Sequence, residues 1–320
     1  MYGYEIFHQE LMKTLIQSVR NNTSSHAYIF EGPKGLFIEN CASLFASALV
    51  CGNQDTAPCG SCSSCIESKA KTNPDIIYVS PGDRKTIGAE KMRELEEDVA
   101  IKPFNSKHKV YIFEDGMLLT EAAQNVFLKT FEEPPEYAVF IIIIENASLL
   151  LDTILSRFTL INFSPVSNSV TEEYIKNHYP EEKERFDFLV RYCGGVPGRV
   201  DKIVEDEEFE NLRTAALDFL PSLISHDRQR AFDFEKFFEE KRERIKEILD
   251  FVFIYLRDIV LIQSGVYDKV INVDKLDILR SIGAKYNPSN IINLSDRTIE
   301  AQKMIGRYVS PKAIALWLGL

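Results

Sequence analysis

Four of the six cysteines, Cys51, Cys59, Cys62 and Cys65, lie on one short stretch with the spacing C-x7-C-x2-C-x2-C. Four thiolates on a loop suit zinc, which prefers soft sulfur ligands and a closed tetrahedral shell in structural sites. Gly52, Pro58, Gly60 and Ser61 let the backbone turn tightly around an ion. A redox pair and an iron–sulfur cluster use related spacings. Here Cys65 is followed by Ile66, Glu67 and Ser68, with no further Cys-Pro behind it, and the fourth cysteine lies upstream. No nearby His or carboxylate completes an open coordination position, so the expectation is a structural, non-catalytic zinc. Cys41 and Cys193 stand alone and read as small buried apolar residues.

A second constellation begins at Gly32. An apolar strand at 27–30 runs into Glu31-Gly32-Pro33-Lys34-Gly35 and then into a helix. Strand, glycine turn and helix are the setting of a phosphate loop, G-x-x-x-x-G-K-[ST]. On that pattern Phe37 stands for the second glycine, Ile38 for the lysine and Glu39 for the magnesium-binding hydroxyl. The cation that grips phosphate is gone, and an acid stands where phosphate oxygens would come. Gly32 and Gly35 are thus read either as a phosphate loop that has lost its nucleotide or as an ordinary βα turn. Glu114-Asp115, at the end of another strand, is where active phosphate-loop ATPases hold magnesium and orient water. Without the lysine these two acids equally read as caps of a strand end.

The elements that must position these residues alternate. Apolar strands are expected at 27–30, 76–79, 110–113, 139–144 and 160–163, and helices at 10–20, 37–50, 89–100 and 120–131. Uninterrupted apolar strands separated by helices predict a doubly wound parallel sheet covered on both faces, ending near residue 164. Residues 171–202 read as a small helical unit broken by Gly194-Gly195-Val196-Pro197-Gly198. The rest reads as helical to the end, with an apolar stripe of Ile245, Ile248, Leu249, Val252, Tyr255 and Ile259 widened by Phe251, Phe253 and Ile254. The acidic run at 205–210 reads as a solvated linker or helix start. Ser310-Pro311 reads as a helix cap and first turn.

Composition sets the outer limits. In 320 residues, 45% are hydrophobic and 27% charged, and the net charge is −11. These values fit about two globular domains and exclude a disordered chain. The longest apolar run, 138–144, is stopped by Glu145, so no membrane span is expected. Residues 1–9 carry no basic or apolar leader, so a cytoplasmic, reducing location is expected. The acidic charge argues against coating DNA as the main task. Arg84 with Lys85, and Lys102, Lys107 and Lys109, are short basic clusters that read first as solvated surface.

The residues then become specific enough for a resemblance. Thr120-Glu121-Ala122-Ala123-Gln124-Asn125, continuing through Leu128-Lys129-Thr130-Phe131-Glu132-Glu133-Pro134-Pro135, resembles the central signature of bacterial clamp-loader AAA+ subunits. Asn146 and Thr153-Ile154-Leu155-Ser156-Arg157 look like that family's sensor-1 and Ser-Arg-Cys segments, with Phe158 replacing the Cys. Gly194-Gly195-Val196-Pro197-Gly198-Arg199 resembles the sensor-2 segment, and the cysteine loop matches the family's zinc module. The resemblance covers about two-thirds of the chain and implies an AAA+ RecA-like core at 1–164, a helical lid at 165–207 and an all-helical oligomerisation collar at 208–320. A ruined phosphate loop beside kept zinc and Ser-Arg motifs resembles the member without ATPase activity rather than the gamma/tau motor subunits. That member is a stator in the arc that places the sliding clamp on primed DNA. By the same resemblance Arg157, with Ser156, is a finger reaching into the ATP site of a neighbouring motor subunit, and Arg199 holds the lid. Gamma/tau, delta, the clamp and primer-template DNA are the implied partners. A divergent active ATPase and a metal- or redox-sensing module are the competing readings.

Overall fold

The computed structural model describes residues 7–82, 84–225, 228–305 and 309–319. Residues 1–6, most of the stretch read above for a leader, lie outside them. The chain divides into two compact units, Met1–Val170 with Val196–Arg199, and Thr171–Gly195 with Val200–Leu320. Among the described residues no helix is long and apolar enough to cross a membrane.

In chain order the first unit contains α1 (Gln9–Arg20), β1 (Ala27–Glu31), α2 (Ile38–Leu49), α3 (Ser63–Lys69), β2 (Ile76–Val79), α4 (Ala89–Val99), β3 (Lys109–Phe113), α5 (Glu121–Glu132), β4 (Ala138–Ile144), α6 (Asp152–Leu155) and β5 (Thr159–Asn162). All strand pairs are parallel, in the order β2-β3-β4-β1-β5. The chain places β2 and β3 beyond β4 on one side of β1, then crosses to lay β5 on the other. Such a reversal opens a crevice at the carboxyl ends of the strands, where open α/β sheets bind ligands. The loops after β1, β3 and β4 meet there.

Burial explains the apolar runs. Every residue of β4, a strand inside the sheet, is buried. Met12, Leu15, Phe45 and Leu49 of α1 and α2 cover one face with Phe30 and Ile141. Met92, Leu95, Phe127, Phe131 and Ile154 of α4, α5 and α6 cover the other with Phe113 and Phe140. β5 departs from the expected buried strand. It is the sheet edge and is mostly exposed, while Phe163 just after it is fully buried.

The second unit is helical: α7 (Asn168–His178, whose first turn belongs to the first unit), α8 (Phe186–Cys193), α9 (Gly198–Glu205, whose first two residues belong to the first unit), α10 (Phe209–Ser225), α11 (Arg228–Glu240), α12 (Ile245–Gln263), α13 (Leu276–Lys285), α14 (Pro288–Ile305) and α15 (Pro311–Gly319). The broad apolar surface of α12 packs among α10, α13 and α14, and Ile248, Leu249, Val252, Tyr255 and Ile259 are fully buried. Ser310 Oγ accepts from Ala313 N at 3.3 Å and so caps α15. The acidic run is not a bare linker. Asp206 pairs with Arg244, Glu208 with Lys241 at 2.6 Å, and Glu210 with Arg213 at 3.3 Å and Lys275 at 3.5 Å. Arg213 is one helical turn from Glu210, but Lys241, Arg244 and Lys275 lie far along the chain, so sequence proximity could not reveal them.

Candidate functional site

The four cysteines converge. Cys51 follows α2, Cys59 sits in the loop, Cys62 is the N-cap of α3 and Cys65 lies in its first turn. The stretch read above as a plain loop therefore contains a helix, and that helix brings two of the ligands inward. All four sulfurs lie within 4.8 Å of one another, and the Cys51 and Cys62 sulfurs are 4.0 Å apart. Tetrahedral zinc with Zn–S bonds of about 2.3 Å separates its sulfurs by roughly 3.8 Å. The donor set is therefore the right kind and size for zinc, and all six cysteines are free thiols.

Backbone N–H groups already point at these sulfurs. Cys62 N reaches Cys59 Sγ, Cys65 N reaches Cys62 Sγ, and Asn53 N and Cys59 N reach Cys51 Sγ, each at 3.4 Å. The N–H groups of Ser61 and Cys62 draw the half-buried Cys59 thiol down to about 6, while burial pushes Cys51 up to about 12. The loop is tied down by Arg20 of α1, whose Nε donates to the Ala57 carbonyl at 2.8 Å, and by Gln54 Nε2 on the Cys51 carbonyl at 2.9 Å.

At the other end of α2 lies the glycine turn that follows β1. Phe37 has φ +55° and Gly35 φ +98°, both left-handed. For a residue with a Cβ that conformation costs about 1–2 kcal/mol. Ile38, in the lysine position, is turned inward and 3% exposed. Its Cδ1 comes so near Gly32 that a Cβ there would lie 2.9 Å from it and 2.5 Å from the Phe163 carbonyl oxygen. Glu39 is exposed. Lys34, nearer the start of the loop, turns to the strand ends instead and pairs with Asp115 at 2.9 Å and Glu145 at 3.5 Å. The hydrogen bond to Asp115 raises the ammonium's pKa.

The cavity bounded by Gly32, Lys34, Ile38, Glu114, Asp115 and Glu145 has a volume of about 10 Å³. One water needs roughly 10–15 Å³ on this measure, and small-molecule sites span about 300–1,000 Å³. Asp115, Asn146 and Glu31 also bond within the chain itself. Asp115 Oδ1 accepts from Met117 N and Asn146 Oδ1 from Ser148 N, each at 3.0 Å, which caps the turns after β3 and β4. Glu31 accepts from Ala147 N at 2.7 Å. Gly198 N donates to the Gly35 carbonyl at 2.9 Å, and a Cβ on Gly198 would lie 2.8 Å from Gly35 Cα. Residues Val196–Arg199 thus rest directly on the loop, with Arg199 exposed.

Arg157 lies just past α6, exposed to solvent. Its guanidinium donates to the Thr153 carbonyl at 2.6 Å and Ser156 Oγ at 3.2 Å, and pairs with Glu132 at 2.7 Å. Phe158 is buried edge-on against Phe131, with centroids 4.9 Å apart. Of the basic clusters, Lys109 is buried and bound to Asp98 at 2.9 Å, and Arg84 pairs with Glu90 at 2.8 Å. Lys85, Lys102 and Lys107 are exposed. Sequence reading passed over Phe104, which stands 79% exposed between Lys102 and Lys107. The fully buried Asp75 holds it there, accepting from the N–H groups of Phe104, Asn105 and Ser106 at 2.5, 2.9 and 2.9 Å. The only advance signal was an aromatic within a charged stretch.

A family model described as "DNA polymerase III, delta subunit" matches residues 7–167, half of the chain. DNA polymerase III subunit delta' of Bacillus subtilis (strain 168) is 28% identical over 312 residues, covering 95% of this chain and 92% of the relative. That span takes in the helical second unit. The delta' subunit of Haemophilus influenzae is 31% identical over 179 residues, 56% of this chain and 53% of its own. The tau subunit of Bacillus subtilis is 28% identical over 203 residues, 63% of this chain and 31% of its own.

Proposed function

Because the chain belongs to the DNA polymerase III delta-prime family of clamp-loader subunits, we propose that it acts there as a non-catalytic stator. In this reading it binds no ATP of its own and completes the ATP site of a gamma/tau neighbour. The observation that carries the reading is the crevice at the strand ends, about 10 Å³ in volume with Ile38 turned inward. A triphosphate needs a cation where Ile38 stands and open space where Lys34, Asp115 and Glu145 pair.

Arg157 supplies the exported chemistry. A guanidinium is always charged and grips phosphate oxygens in a planar fork, and an arginine offered in trans stabilises the transition state of phosphoryl transfer. Its ion pair with Glu132 is solvent-exposed, and such pairs contribute about 0–1 kcal/mol. Glu132 therefore holds the guanidinium at little cost to its release. Ser156, bonded to the same carbonyl, braces it. Arg199 serves the lid and not a nucleotide.

Cys51, Cys59, Cys62 and Cys65 hold a structural zinc that fixes the loop between α2 and α3; the ion supplies folding energy and no catalytic step. Residues 1–164, 165–207 and 208–320 act as core, lid and collar, the last joining the gamma/tau and delta subunits. The sliding clamp and primer-template DNA are reached through the complex, in the cytoplasm. Titrating the full-length protein with ATP and magnesium tests the reading. No saturable binding up to millimolar nucleotide is expected. Micromolar affinity with magnesium-dependent turnover would make the chain a divergent motor subunit instead.

A further inference from the structure

Arg213 of α10 is fully buried, a position that penalises a charge heavily unless it is paired and hydrogen-bonded. All five of its N–H donors find acceptors. Nη1 and Nη2 grip both oxygens of Asp274 at 2.9 and 2.6 Å. Nε and Nη2 share Asn272 Oδ1 at 3.2 and 2.9 Å, and Nη1 also reaches Glu210 at 3.3 Å. The flat face of the guanidinium lies 3.6 Å from the centre of the Phe188 ring, on α8. Phe188 comes from the small helical segment before residue 195, Arg213 from the helices after residue 200, and Asp274 from the turn Val273–Lys275.

That turn is itself held at several points. Asp258 of α12, fully buried, accepts from Ile271 N at 3.1 Å and from Asn272 N and Nδ2 at 2.8 Å. The Asn272 amide therefore gives its N–H to Asp258 and its oxygen to Arg213, which fixes its orientation. Arg191 of α8 donates to the carbonyls of Asp268 and Val270, each at 2.8 Å. Tyr255 of α12 donates to the Arg213 carbonyl at 3.1 Å.

We propose that Arg213 is the positioning residue that fastens residues 171–195 to the C-terminal helices, so that the two move as one body. Its fork reaches the 266–275 segment and its face holds α8, joining three chain segments through one side chain. A partner subunit that grips either part thereby carries the other with it. The proposal concerns the second unit alone and stands whether or not the first unit binds nucleotide.

Hydrogen exchange of the full-length protein, read segment by segment, tests it. Asp274→Asn removes the charge pair with little change of shape, and Arg213→Lys keeps the charge but loses the fork. In both variants α8 and residues 266–275 are expected to exchange on the order of a hundredfold faster, with α12 unchanged. Unchanged exchange of α8 in either variant, or an equal acceleration of α12, would overturn the proposal.

Discussion

The two ends of α2 had opposite fates. Its C-terminal end runs into Cys51 and a set of four sulfurs within 4.8 Å of one another. Its N-terminal end begins at Phe37 and Ile38, in the strand–turn–helix setting of a phosphate loop but without that motif's second glycine, lysine and hydroxyl. The ends are about 18 Å apart at the helical rise of 1.5 Å per residue. A metal centre is self-contained, because four side chains of one type on one loop define it. A phosphate site needs a glycine, a cation and a hydroxyl together, and here Phe37, Ile38 and Glu39 stand in place of all three. Polar groups around that turn serve the chain's own backbone, as Asp115, Asn146 and Glu31 do.

The largest break in this contrast is at the cysteines. Cys65→Ser removes a buried thiol from this set, and structural zinc contributes about 10–16 kcal/mol of apparent binding energy in small metal-folded peptides. Metal analysis should fall from about one zinc per chain to near none, and proteolysis should open residues 50–70. An unaltered zinc content would remove Cys65 from the ligand set.

A smaller break tests an acid committed to the backbone. Asp75 accepts three N–H groups. Burial by itself would raise its pKa, but the N–H groups of Phe104, Asn105 and Ser106 together hold it below the usual range. Its stabilisation is therefore complete above the unfolded value of about 3.9 and is lost as pH falls through the lower folded value. Asp75→Ala should lower stability by about 3 kcal/mol near neutral pH, and Asp75→Asn should flatten the acid limb of the stability curve. Equal acid limbs in Asp75→Asn and the parent would contradict this role.

The smallest effect belongs to the loop. Lys34 is about half exposed, so Lys34→Ala should change stability by less than about 1 kcal/mol and should not create nucleotide binding. A gain of ATP affinity in that variant would show that the ion pairs, and not Ile38 and Phe37, close the site.

The legible features were those carried by residue type and period. The strands and the cysteine set could be read because apolar runs and C-x2-C spacings are local. The substitutions at Phe37, Ile38 and Glu39 were visible because the phosphate-loop pattern has fixed length. Features joining distant residues were not legible. Nothing near Lys34 names Asp115 or Glu145, nothing near Arg157 names Glu132, and Gly198 gives no sign that it rests on Gly35. Exposure was equally hidden. Leu160 lies on an edge strand and Phe104 is displayed to solvent, although both residue types usually read as core.

The central claim is that phosphate chemistry left this chain's own loop and is supplied to a neighbour through Arg157. Single-turnover ATP hydrolysis at the neighbouring site, in complexes reconstituted with Arg157→Ala or the parent protein, tests it most directly. Assembly by gel filtration should be unchanged while hydrolysis at that site falls on the order of a thousandfold. An unchanged rate in a fully assembled complex would contradict it.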